Sequence, residues 1–77
     1  MDNNAQDRRD YLNRRAAAIY EDLRLLEKST PKNAWRIQAC RFMLNDIAFT
    51  TTDLDRYERS ISALENAVVK MRQDIQT

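Results

Sequence analysis

The sequence predicts an all-α protein: an antiparallel helical hairpin followed by a third helix, or by the continuation of one long second helix, packed as a bundle with coiled-coil character. Three observations carry this. There is no glycine and one proline among 77 residues, which removes most turn and hairpin chemistry. Alanine, leucine, arginine and glutamine are plentiful, and all are helix formers. Apolar residues recur at alternating steps of three and four, the spacing that gathers side chains on one face of an α-helix.

The seam that organises the chain is Leu54, Tyr57, Ile61, Leu64, Val68, Met71 and Ile75. Most positions between them are polar, so this helix, expected over 53–76, has one face to bury and is not stable alone. It reads either as core within one chain or as a strand of a coiled-coil dimer. With Leu54, Ile61, Val68 and Ile75 as first heptad positions, Leu64 and Met71 fall on the fourth, a pattern compatible with a two-stranded coil. The flanks suit a coil less well: Glu58, Glu65 and Arg72 on one side, Ser60, Ala67 and Asp74 on the other.

The first helix is expected over 5–28. Ala5, Leu12, Ala16, Ile19, Leu23 and Leu26 form its seam, with Arg9 in the gap. A thinner stripe of Tyr11, Ala18 and Leu25 lies about 120° around the axis at ~100° per residue. Ser29-Thr30-Pro31 ends this helix, because proline lacks an N–H and its ring clashes with the preceding turn. Pro31 suits the first position of the next helix, with Thr30 as its N-cap. So short a link folds the chain into a hairpin.

The second helix, expected over 31–49, is apolar on two sides. Ile37, Cys40, Leu44 and Ile47 make one stripe; Trp35, Ala39, Phe42 and Phe49 make another, roughly 160° away on the helical wheel. One stripe can meet the rest of the chain, and the other needs a different cover. At Thr50-Thr51-Thr52 the chain either breaks or continues. Thr52 before Asp53, Leu54 and Asp55 reads as a helix start, whereas Ile47 and Cys40 carry the later seam backward in phase. The break is the favoured reading. All three helices are taken as one domain spanning 1–77.

Composition narrows the function. A core of this size supplies only ~3–5 kcal/mol, so small chains add disulfides, metal or a second subunit. Cys40 is the only cysteine and histidine is absent, which removes internal disulfides and a zinc site. A second chain is the staple that is left. A lone cysteine suits a reducing compartment, and a cytoplasmic location is expected. No apolar run approaches the ~20 residues of a membrane span. The charged first fifteen residues leave no room for the apolar core of a signal peptide.

Thirteen basic residues stand against twelve acidic, so no strong field steers the chain toward phosphate. Without histidine the usual general base is missing; no enzyme, cofactor or metal is expected. Arg15, Arg36, Arg41 and Arg72 are the residues an arginine-based site would use, and a solvated, ion-paired surface is their plainer reading. Cys40, between Ile37 and Leu44, reads as a buried structural thiol. For RNA or DNA, the candidates are Lys28, Lys32 and Arg36 at the hairpin end, or Arg8, Arg9, Arg14 and Arg15 around Tyr11. The favoured function is protein–protein interaction by a small regulator, inhibitor or adaptor. It would associate with itself and with a larger protein. Trp35, Ala39, Phe42, Phe49, Tyr11 and Leu25 are the expected contact residues, since aromatics dominate interface energetics.

Overall fold

A computed structural model describes residues 3–76, with side chains over residues 4–74. Helix α1 spans Asn3–Ser29, a 3-10 turn follows over Pro31–Asn33, α2 spans Ala34–Thr50 and α3 spans Leu54–Gln76. The chain breaks at the threonines and makes three helices. The cross-links order them. Arg8, Arg15 and Asp22 on α1 pair with Asp55, Glu65 and Arg72 on α3, both series rising together. Tyr20 and Glu27 on α1 pair with Asn45 and Arg41 on α2, one rising as the other falls. So α1 and α3 run parallel, with α2 antiparallel to both. The bundle is a rod of 48 × 20 × 16 Å.

Each helix turns one stripe inward. Leu12, Ala16, Ile19, Leu23 and Leu26 come from α1, and Ile37, Leu44 and Ile47 from α2. Tyr57, Ile61, Leu64, Val68 and Met71 come from α3. Each fully buried large side chain contributes roughly 1.5–3 kcal/mol before ordering costs. The α3 seam therefore lies in the core of its own chain, with Leu54 half-buried at its start. The side chain of Ile75 lies outside the described residues.

Two seam positions differ from expectation. Ala5 is exposed, because it lies at the end of the bundle, beside Thr52 and Leu54 where α2 has stopped. Cys40 is half-buried, not enclosed, because it borders the groove between α2 and α3.

The helix ends explain both turns. The Thr30 hydroxyl donates to Leu26 O at 2.7 Å, and its backbone N–H also reaches Leu26 O at 2.8 Å. Thr30 thus closes the end of α1 and makes no side-chain bond into the next helix; the expected N-cap role is not seen. At the second break, the Thr50 hydroxyl donates back to Asp46 O at 2.5 Å and Thr51 turns extended, at φ −87° and ψ 138°. Asp53, not Thr52, starts α3: its Oδ1 accepts the N–H groups of Asp55 at 3.0 Å and Arg56 at 3.2 Å. A carboxylate there satisfies two orphan donors and complements the helix dipole.

Candidate protein-contact surface

The side of α2 facing away from the core carries an apolar ridge. Trp35, Phe42 and Phe49 are seven residues apart, which keeps them on one line at ~100° per residue. They are 70%, 73% and 85% exposed. Ala39 fills the space between the first two and is exposed. Met43, 57% exposed, widens the ridge. Ile37, Leu44 and Ile47, on the opposite side of the same helix, are all buried. α2 is thus two-faced, with the core taking one face only.

Polar groups frame the ridge. The Arg36 guanidinium lies over the Trp35 ring, 5.7 Å from its centroid, a cation–π contact that shields part of the indole. Asp46 is exposed one turn before Phe49. Beside Trp35, a groove of about 280 Å³ runs between α2 and α3, floored by Ala39, Cys40, Ala67 and Met71 and edged by Arg36, Lys70 and Asp74. Burial pushes the Cys40 thiol above its ordinary value, so it is a poor nucleophile at neutral pH. At the other end of α2, Phe49 borders a hollow of about 290 Å³ shared with Ala16, Ala17 and Tyr20 of α1.

Tyr11 and Leu25 are also exposed, at 54% and 48%, but the structure does not bring them to the ridge. Tyr11 lies under the Arg15 guanidinium at 5.5 Å, and Arg15 in turn holds Glu65 on α3. This is the α3 side of α1, whereas α2 packs near Tyr20 and Glu27. Tyr11 and Leu25, expected as contact residues, therefore lie on a different side of the bundle from Trp35 and Phe42.

The arginines are mostly engaged. Arg8 reaches Asp55 at 2.7 Å and Glu58 at 3.6 Å. Arg15 grips Glu65 with two nitrogens, at 2.5 and 3.1 Å. Arg72 holds Asp22 at 2.5 Å and Arg41 holds Glu27 at 2.7 Å. Arg15, Arg36, Arg41 and Arg72 each have a different partner and do not converge on a common point. Lys28, Lys32 and Arg36 are exposed at the hairpin end. Nearby, the Asn33 Nδ2 is buried with no hydrogen-bond partner among the described residues.

Sequence reasoning missed Met43 as a ridge residue and Arg9 as a structural one. Met43 falls between the two α2 stripes on the helical wheel, so the wheel already held that signal. Arg9 sits at 3.4 Å from the carbonyls of Ala48 and Thr51, and its guanidinium is 5.8 Å from the Tyr57 ring centroid.

Among the described residues, no cluster of three or more His, Cys, Asp or Glu side chains is arranged to hold a metal ion, and no helix is long and apolar enough to cross a membrane. The fold and surface define a three-helix bundle with an exposed aromatic ridge. Comparison with protein-family models, curated proteins and solved structures finds no match.

Proposed function

We propose that this protein is a small non-enzymatic interaction module, a regulator, inhibitor or adaptor that binds a larger protein through the outward ridge of α2. The observation that carries the reading is the exposure of Trp35, Phe42 and Phe49 along one line, while thirteen other apolar side chains among the described residues are buried. Large aromatics concentrate binding energy at protein interfaces, and contiguous exposed apolar patches mark contact sites. Covering three such rings removes roughly 400 Å² of apolar surface from water. At about 25 cal/mol per Å² that is a gross ~10 kcal/mol, comparable to the freedom lost on association. Association through this ridge is therefore physically reasonable without any further chemistry. A reducing compartment such as the cytoplasm suits the single thiol.

The test is affinity capture from cells of the source organism, with wild type and the Trp35→Ala/Phe42→Ala double variant as parallel baits. Both side chains are exposed, so helical circular dichroism is expected to persist. A specific protein partner is expected to fall at least ~10-fold with the variant, as for loss of a contact hot spot. Equal recovery by both baits overturns the reading.

RNA or DNA binding is a second reading with one observation in its favour: Lys28, Lys32 and Arg36 are exposed together at the hairpin end, next to Trp35. Against it, Arg8 and Arg15 are held by carboxylates of α3. Retention on heparin that falls steeply with salt supports it, and no gel shift at ~50 mM salt removes it.

A further inference from the structure

We infer that the first occupant of the α2 ridge is a second copy of this chain, packed antiparallel across a two-fold axis through Phe42. The inference rests on the reading of the ridge as a protein-contact surface; a larger partner then meets the paired form.

A two-fold interface requires a surface complementary to itself. Phe42 is the ninth of the 17 residues of α2, its midpoint. An antiparallel two-fold there stacks Phe42 on its own copy and sets Trp35 beside Phe49 of the second copy at both ends. The aromatic line therefore matches itself end to end.

Charge selects the direction. The ridge is basic toward its start, at Lys32 and Arg36, and acidic toward its end, at Asp46. Antiparallel packing brings Arg36 within about half a turn of Asp46 of the second copy, twice per dimer, and Lys32 toward the acidic end. Parallel packing sets Arg36 against Arg36 and Asp46 against Asp46, and like charges opposed across an interface are costly. The α2 dipoles also oppose favourably in the antiparallel arrangement.

Area is sufficient. Rings of about 150–250 Å² each, exposed at 70–85%, present roughly 400 Å² per copy. With Met43, Ala39 and the polar rim, two copies reach roughly 1,200 Å², the lower edge of stable interfaces. The ridge end at Trp35 opens on the α2–α3 groove and the end at Phe49 on the α1–α2 hollow. Each terminal ring thus has a depression beside it that the opposing ring can enter.

The test is sedimentation velocity of the full chain between ~1 and 100 µM, the range where an interface of this size associates. Wild type is expected to be a dimer in the upper part of that range. Phe42→Glu, at a 73% exposed position, is expected to be monomeric throughout with unchanged circular dichroism. Arg36→Glu and Asp46→Arg are each expected to weaken the dimer about tenfold, and R36E/D46R together to restore it to within about threefold. A wild-type monomer across the range overturns the inference, and so does a dimer that Phe42→Glu leaves intact. Weakening without rescue in the double variant overturns the antiparallel pairing. The underlying reading is separable: if wild type is monomeric yet the ridge variant loses its captured partner, only the second copy is wrong. If capture is unaffected, the ridge reading itself fails.

Discussion

A guanidinium in an apolar seam needs a reason, and at Arg9 the reason is the end of another helix. The last carbonyls of α2 lack intrahelical partners, and Arg9 donates at 3.4 Å to that of Ala48 and to the carbonyl of Thr51 just past the helix end. Arg9→Met keeps much of the bulk and removes these bonds, and is expected to cost about 1 kcal/mol in urea unfolding. Tyr57 is a second such case: it is fully buried, with its hydroxyl donating to Asn13 Oδ1 at 2.8 Å. Tyr57→Phe is expected to cost about 1 kcal/mol as well. The anomaly at Arg9 was legible as a gap in the α1 periodicity. Its partner was not, because no local pattern specifies a contact some forty residues away. Cys40 was half legible: its stripe is right, but a stripe does not reveal that this position borders the open groove between α2 and α3. The hydrogen bond from Arg8, and then its charge, hold the Asp55 carboxyl below the ordinary 3.8. Arg24 acts likewise on Glu21, below the ordinary 4.5. A lowered folded pKa stabilises above the unfolded value, and the contribution is lost as pH falls through the folded one. Thermal stability is therefore expected to be level from pH ~5 to ~8 and to decline below about 4. A melting temperature that rises on acidification across that range contradicts these pairings.

At the scale of elements, α3 is held in register by alternating chemistry along its flank. Arg8, Arg15 and Asp22 lie seven apart on α1 and face Asp55 with Glu58, Glu65 and Arg72. A slip of one heptad sets Arg15 beside Arg72, or Asp22 beside Glu65, so the sign reversal at the third rung disfavours neighbouring registers. Arg15→Glu is expected to lower stability by up to about 1 kcal/mol, and the R15E/E65R exchange to recover most of it. Chemical denaturation of the single and double variants checks this. The same residues suit a coil of two α3 helices poorly, because there they meet Ser60, Ala67 and Asp74 of the second strand. Compared with α1 of the same chain, their signs match, so this part of the fold was present in the sequence. The break at the threonines was legible from residue type, but its mechanism was not. Thr50 and Thr51 end α2 while Asp53 caps α3. Asp53→Ala is expected to cost roughly 1 kcal/mol, whereas Thr52→Ala is expected to be nearly neutral.

At the scale of the whole molecule, three helices enclose one core and leave one helix face over. Each helix of such a bundle meets two neighbours on adjoining sides, so a stripe directly opposite the core has no neighbour within the chain. That is why the opposed stripes of α2 were informative in the sequence, and why the Tyr11–Leu25 stripe was not. The latter lies nearer its own seam, and only the packed bundle reveals which helix lies beside it. A core of this size leaves a small margin of stability, and covering the ridge adds to it, so unfolding of the wild type is expected to shift to higher temperature with protein concentration. Trp35 is the sole tryptophan and forms one end of the ridge, so its fluorescence reports directly whether that surface is covered. Acrylamide quenching of Trp35 is expected to be weak at tens of micromolar and to strengthen on dilution, with Phe42→Glu strongly quenched at every concentration. An indole quenched to the same full extent at all concentrations, and unchanged when the captured partner is added, would contradict the claim that α2 is a contact surface.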